Sequence, residues 1–158
     1  MPQQHRGVVR HLHLVANNDQ DQPAVAEPIT LPYAHAVVWL DHRKATLIGF
    51  SVDEAAVLDL DSNVEGRIHT KSGIIGAGRA ADDLVFFDDI AAVLAQNRAV
   101  LITGPGTAKR AFERHVRDKH PELAKRIVGV EALDHPTEGA LLHFARQYFK
   151  GVDQMGNG

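Results

Sequence analysis

Hydrophobic and polar positions follow two different periods along the chain. In the first half, His35–Leu40 is a short apolar run rich in branched and aromatic side chains, which predicts a buried strand. A tight turn at Asp41–Arg43 leads into Lys44–Phe50, so these segments predict a β-hairpin. A third strand is predicted over Ala55–Leu60, and Glu65–Thr70 either extends it past a kink or forms a further short strand. The first half therefore predicts an antiparallel meander.

Apolar residues at helical spacing alternate with short buried strands in the second half. The predicted elements are a helix capped by Asp82, a strand at Val100–Thr103, a helix from the cap Thr107 through Lys119, a helical turn from Pro121, a strand at Ile127–Val130 and a helix opening at Pro136 or Thr137. The first helix has its apolar positions at Leu84, Phe87, Ile90, Ala91 and Leu94. Trp39 and the pair Phe86–Phe87 fall inside these apolar patterns, so we expect them in the core.

The order of these elements predicts the fold class. Leading strands joined by short turns are antiparallel neighbours, whereas later strands separated by helices need right-handed parallel crossovers. We therefore predict an α/β fold with a ribonuclease H-like mixed sheet: an antiparallel three-strand meander followed by parallel β-α-β units, with flanking helices. A doubly wound flavodoxin-like sheet is the alternative, and it is disfavoured because it has no opening meander.

The chain of 158 residues has the usual size of one domain. Residues 1–32 are rich in Gln, Asn, Asp and Pro and show no sustained period, which predicts a flexible N-terminal arm. Residues 33–150 form the predicted α/β domain, and the glycine-rich residues 151–158 are predicted to be a flexible tail.

Cysteine is absent from the sequence, which excludes disulfides, thiolate metal sites and cysteine nucleophiles. A reducing compartment fits this composition, so we expect a cytoplasmic protein. No apolar run approaches the roughly 20 residues that a membrane span needs, and the first 30 residues lack the apolar segment of a signal peptide. We therefore expect no membrane partner.

Charge is segregated along the chain although its formal net value is only −3. The acidic stretches contain Asp53, Glu54, Asp59, Asp61 and Glu65, and then Asp82, Asp83, Asp88 and Asp89. The basic stretch contains Lys109, Arg110, Arg114, Arg117, Lys119, Lys125 and Arg126. A basic surface of the protein could therefore bind an anion, while an acidic surface would repel it.

A glycine-rich segment joins the two halves of the predicted domain. Gly73, Gly76 and Gly78 lie within six residues, which gives a backbone that can visit positive φ and that packs poorly. We predict a mobile loop over Gly73–Arg79.

Three stretches together show a family resemblance: His35–Asp41, Val100–Lys109, and Val128–Val130 running to Asp134–Gly139. With them, residues 35–149 resemble the central domain of the eukaryotic and archaeal class-1 peptide-chain release factors and their relative Pelota, in the small stand-alone form found in bacteria and often labelled translational machinery protein. The resemblance covers about three quarters of the chain. It implies a partner in translation, either the ribosome or a structured RNA.

Release factors have Gly-Gly-Gln in the loop that corresponds to Gly73–Arg79, and this motif acts in hydrolysis of the peptidyl-tRNA ester. The loop of this chain has no glutamine, and its glycines are not adjacent. We therefore expect no peptide release. The resemblance implies a non-catalytic protein that binds the ribosome, tRNA or rRNA and needs no cofactor.

Candidate RNA contacts follow partly from the same resemblance. It places the glycine-rich loop at the end of the domain that approaches tRNA, so Lys71 and Arg79 become candidate phosphate contacts. A second candidate set comes from helical spacing alone, and it comprises Lys109, Arg110, Arg114 and Arg117. Three of these follow i, i+4, i+7 spacing and would line one exposed stripe, which could neutralise phosphates. A solvated face of i,i+4 salt bridges with Glu113 and Asp118 is the alternative.

Two strand ends suggest other chemistry. Asp41 lies where ribonuclease H-like nucleases hold a metal ion, and Asp134 is the other acid at such an end, but capping of the turn is the favoured role of Asp41. Thr103–Lys109 could bind phosphate at a helix N-terminus, although a tight connection with an N-cap is the favoured interpretation. A metal-dependent nuclease or phosphate-handling enzyme is therefore one alternative function. A small oligomeric interaction module, acting as a homo-oligomer, is another.

The ten histidines do not predict a metal site. Neither the pair His115 and His120 nor the pair His135 and His143 has helical ligand spacing together with a clear third donor. We therefore expect no bound metal.

Overall fold

The computed structural model describes residues 8–12, 29–62 and 77–156, which form a six-stranded sheet with helices on both faces. The strands are β1 (Val8–Leu12), β2 (His35–Leu40), β3 (Lys44–Phe50), β4 (Glu54–Asp61), β5 (Ala99–Gly104) and β6 (Ile127–Ala132). The helices are α1 (Ala77–Val93), α2 (Ala108–Lys119), α3 (Pro121–Ala124) and α4 (Glu138–Gly156).

The strands lie in the order β1-β4-β3-β2-β5-β6. Strands β2, β3 and β4 form the antiparallel meander, and β5 and β6 extend it by parallel pairing, first with β2 and then with each other. This arrangement confirms the predicted fold class and excludes the doubly wound alternative. The strand or extension predicted at residues 65–70 lies outside the described residues.

Two apolar cores result from the alternation of side chains along the central strand. Val38 of β2 is buried on the face covered by α1, α2 and α3, whereas Val37 is buried on the face covered by α4. Trp39 belongs to the α4 core, and Phe86 and Phe87 belong to the other, as the apolar pattern predicted. Strands buried on both faces need near-continuous apolar sequence, which explains the unbroken run in β2.

Two parts of the predicted N-terminal arm belong to the fold. Val8–Leu12 forms an edge strand that pairs in parallel with β4, and Leu31 is fully buried, with its N–H donating to the Val93 carbonyl at 3.1 Å. The prediction that residues 1–32 form a flexible arm is therefore wrong at β1 and at Leu31, and the domain begins before residue 33. Both features depend on pairing with distant residues, which local periodicity cannot detect.

Helix α1 begins at Ala77 and not at Asp82, so Gly78 and Arg79 lie in its first turn instead of in the predicted loop. Gly73 and Gly76 lie outside the described residues. Leu84, predicted to face inward, is 46% exposed. Helix α4 continues to Gly156, which corrects the tail predicted from residue 151. No helix in the described ranges is long and apolar enough to cross a bilayer.

Strands β2 and β5 lie in close contact at their carboxyl ends. A Cβ at Gly104 would lie 2.2 Å from the Leu40 carbonyl oxygen, and the φ angle of 157° at Gly104 is one that other residues rarely adopt. The Thr103 hydroxyl donates to the Val38 carbonyl at 3.0 Å just before this point. Glycine at position 104 therefore allows β5 to leave the sheet directly into the connection before α2.

We expect Gly104→Ala to lower the free energy of unfolding by about 2–3 kcal/mol, because the new methyl group must displace the Leu40 backbone. Gly106→Ala is the matched control in the same connection, since its Cβ would meet nothing within 4 Å. The control should change stability by less than about 0.5 kcal/mol. Urea denaturation of both variants measures the difference, and equal stabilities would contradict the close approach of β2 and β5.

Candidate nucleic-acid interface

One edge of the sheet collects the connections that carry polar groups. Strands β2, β4, β5 and β6 run in the same direction, so their carboxyl ends share an edge, which we call the strand-end edge. Helices α2 and α4 follow β5 and β6, and their N-termini therefore begin there. Helix N-termini present free N–H groups and a partial positive charge, which gives this edge an attraction for anions.

The β2–β3 turn lies at the strand-end edge and is fixed by Asp41. One oxygen of Asp41, Oδ1, accepts hydrogen bonds from the backbone N–H groups of Arg43 at 2.7 Å and Lys44 at 2.9 Å. This geometry confirms the turn-capping role of Asp41. His42 connects the turn to the start of α2, since its Nε2 lies 3.3 Å from the Thr107 hydroxyl.

Arg43 and Lys44 are exposed at the tip of this turn. The sequence did not identify them as candidate contacts because the turn is far from the basic stretch in the chain. Their position in the tight turn that directly follows the predicted strand His35–Leu40 was the signal that could have found them. The tip therefore adds two cations to the strand-end edge.

Arg110, Arg114 and Arg117 form the arginine stripe on the outer face of α2, and all three are exposed. This confirms the predicted exposure of the stripe. Glu113 lies beside it with an 18% exposed side chain, and accepts hydrogen bonds from Arg117 Nη2 at 2.8 Å and Arg110 Nη1 at 3.2 Å. Glu113 offsets one of these three charges, and Asp83 and Asp118 line a surface pocket together with Arg114 without an ion pair to it among the described residues.

Hydrogen bonding from Arg117 lowers the pKa of Glu113 below its usual range, and Arg110 adds to the effect while burial opposes it. Glu113 is therefore ionised at neutral pH and holds both arginines in place. Arg114 has no hydrogen bond or ion pair with any residue that the structure describes. It is the arginine of the stripe that can contact an external anion without losing an internal partner.

The predicted alternative of a fully salt-bridged face is only partly realised. Glu113 pairs with Arg117 as predicted, but the expected pairs Lys109–Glu113 and Arg114–Asp118 do not form. Lys109 donates instead to the Gly106 carbonyl oxygen. Thr107 occupies the N-cap position, although its side chain makes no capping hydrogen bond because its hydroxyl lies against His42.

The remaining candidate residues lie in or beside the part of the chain that is not described. Lys71 lies outside the described residues, and only the backbone of Arg79 is placed, in the first turn of α1. After β4, Ser62 N–H donates to the Arg43 carbonyl at 2.9 Å. The last described residue before residue 63 therefore lies beside the β2–β3 turn.

A separate cluster joins α1 to the junction between α2 and α3. Oδ1 of Asp88 lies 2.6 Å from Nε2 of His115 and 2.8 Å from Nε2 of His120. Burial alone would raise the pKa of Asp88, but hydrogen bonds and charge from the two histidines outweigh it and lower that pKa. The prediction that His115 and His120 lack a third donor is therefore wrong, because α1 supplies Asp88 from a distant part of the chain.

Asp41 and Asp134, the two acids considered for nuclease chemistry, lie in different surroundings. Asp134 is 91% exposed and lies 3.2 Å from Nδ1 of the adjacent His135. Within the described ranges, the only group of three histidine or acidic side chains whose ligand atoms lie within 4.8 Å of one another is Asp88, His115 and His120. Asp41 and Asp134 thus belong to no such group among the described residues.

Comparison with known proteins yields matches by structure only. No family model and no curated protein matches the sequence. An archaeal translation termination factor is similar in structure at 17% identity, with a TM-score of 0.52 over 78% of this chain and 39% of that one. Pelota from Archaeoglobus fulgidus is also 17% identical, with a TM-score of 0.49 over 72% of this chain and 30% of that one. This chain thus spans well under half the length of either protein, and the likeness to the termination factor shows a shared fold.

Proposed function

We propose that this chain is a non-catalytic, translation-associated protein that binds the ribosome or a structured RNA through the arginine stripe and the strand-end edge. We place it in the bacterial cytoplasm as a stand-alone form of the domain. The observation that supports this most is the fold that it shares with an archaeal translation termination factor. The charge and exposure of α2 support the choice of surface.

The length of the arginine stripe suits a short run of phosphates. Arg110 and Arg117 are seven positions apart, and a helix rises 1.5 Å per residue, so the stripe is about 10 Å long. Phosphates of one duplex strand repeat about every 3.4 Å along the axis, so about three could face it. This number of contacts favours weak binding that is independent of sequence and sensitive to salt.

The surroundings of Asp41 and Asp134 favour a binding function over a catalytic one. Asp41 uses Oδ1 to hold the β2–β3 turn, and Asp134 is exposed beside His135. The glycine-rich segment lacks the glutamine that positions water in release factors. These features support a protein that contacts RNA without cleaving it or releasing a peptide.

Substitutions at Arg114 and at Glu113 should have opposite effects on ribosome binding. Arg114→Gln removes one phosphate contact, so affinity at about 0.1 M salt should fall roughly 5–10-fold and the log–log salt slope should become shallower by about 0.7–0.9. Glu113→Gln removes the competing carboxylate and frees two arginines, so binding should tighten and become steeper in salt. Co-sedimentation with purified ribosomes across a salt series measures both effects.

Lys150→Gln provides the matched control, because Lys150 is an exposed cation on α4, across the sheet from the stripe. It should bind like the parent at every salt concentration. Melting temperatures of all three variants should stay close to that of the parent, since exposed ion pairs contribute only about 0.3–0.5 kcal/mol. If Arg114→Gln and Lys150→Gln lower binding equally, the effect is one of overall charge and the proposed surface is wrong.

We also expect highly purified protein to leave RNA and DNA intact in the presence of Mg²⁺ or Mn²⁺. Asp41→Asn serves as the matched variant, because its side chain has the same shape and retains an oxygen for the turn. Gel analysis of labelled substrates is the measurement. Cleavage by the parent that disappears in Asp41→Asn would replace the binding function with that of a metal-dependent nuclease.

A further inference from the structure

Asp88, His115 and His120 bring three metal-ligand atoms to one point between α1 and the α2–α3 junction. We propose that this cluster binds one divalent first-row transition-metal ion, with Zn²⁺ as the probe, through Oδ1 of Asp88 and Nε2 of both histidines. This site is separate from the arginine stripe and does not depend on RNA binding.

The spacing of the donor atoms is close to that around a bound ion. Zinc binds histidine nitrogen and carboxylate oxygen at about 2.0–2.2 Å, so ligand atoms around a tetrahedral ion lie about 3.3 Å apart. The distances from Asp88 Oδ1 are 2.6 Å to His115 and 2.8 Å to His120, and all three ligand atoms lie within 4.8 Å of one another. The two oxygen–nitrogen distances would need to lengthen by about 0.5–0.7 Å to reach this spacing.

The histidines are held in place by packing as well as by Asp88. The side chain of His115 is only 9% exposed, and its ring lies 5.9 Å from that of Phe87 and 5.5 Å from that of His120. His120 is fixed at the end of α2 by its backbone N–H, which donates to the Val116 carbonyl at 2.7 Å. Ligands that are positioned in advance lose little conformational entropy on binding.

The donor set and its exposure select the class of ion. Two of the three donors are imidazole nitrogens, which suit Zn²⁺, Ni²⁺, Cu²⁺ or Fe²⁺, whereas Mg²⁺ and Ca²⁺ prefer oxygen. Asp88 is 52% exposed and His120 is 32% exposed, so an ion can enter from solvent and keep water in its fourth position. Each bound nitrogen gives up its hydrogen bond to Asp88, and the proton of the neutral ring moves to Nδ1.

A bound ion would cross-link elements that are far apart in the chain. Asp88 lies 27 residues before His115 and 32 before His120. The ion would therefore clamp α1, which follows the glycine-rich segment, onto the end of α2. Since an ion that binds only the folded state stabilises it, metal should raise the melting temperature.

The test uses the full chain without any affinity tag. Calorimetric titration with Zn²⁺ should show a site of one ion per chain that disappears in His120→Gln and in Asp88→Asn. Visible absorption of Co²⁺ should report tetrahedral coordination in the parent and not in the variants. When free Zn²⁺ exceeds its Kd about 100-fold, the melting temperature should rise by about 5–10 °C, while Mg²⁺ should have no effect.

His135→Gln is the matched control, since His135 is an exposed histidine whose ion pair is with the adjacent Asp134. It should keep the site, whereas loss of a true ligand should weaken binding by more than about 100-fold. Circular dichroism of the two ligand variants without metal checks that they fold. If His120→Gln does not fold, Asp88→Asn still tests the site. Zinc binding that is absent from the parent, or unchanged in both ligand variants, would overturn the proposal.

Discussion

The parallel pairing of β2 with β5 determines which elements meet at the strand-end edge. It begins at His35 with Ala99 and ends at the close approach of Gly104 to Leu40. Because β5 runs in the same direction as β2, α2 must begin at the edge where β2 turns into β3. The β2–β3 turn and the start of α2 thus meet, and His42 contacts Thr107 across them.

Ion pairs and hydrogen bonds within the protein then determine which side chains near the strand-end edge can bind an external anion. Asp41 is engaged by two amides of its own turn, and Glu113 is engaged by two arginines. Arg114 is left to face solvent without an internal partner among the described residues. A chain with only −3 net charge can in this way present a cluster of cations, because Asp41 and Glu113 are engaged by neighbouring groups.

Elements whose structure depends on neighbouring residues could be predicted from the sequence, whereas those that depend on distant residues could not. The strands His35–Leu40 and Lys44–Phe50 were predicted to the residue, since a buried run and a tight turn are local signals. Strand β1 was missed because VVRHL is short and includes two polar residues, and only its pairing with β4 makes it a strand. Helix α1 was predicted to start late because a run of glycines favours a loop, whereas the structure extends the helix to Ala77.

The candidate sites likewise include one part that local sequence predicts and one part that depends on distant residues. Helical spacing alone predicted that the three arginines would share an exposed face. The convergence of Asp88 on His115 and His120 could not be predicted, because it depends on the packing of α1 against α2. The pairing of Arg110 with Glu113 was not predicted, because it follows i,i+3 spacing and only i,i+4 pairs were considered.

Hydrogen exchange of the full chain, free and bound to ribosomes, tests most directly whether the arginine stripe and the strand-end edge form the RNA-binding surface. Backbone amides in the β2–β3 turn and over Gly104–Lys119 should exchange more slowly in the bound state, while those of α4 should be unchanged. Protection confined to α4, or ribosome binding with no protection in α2, would contradict the proposed surface.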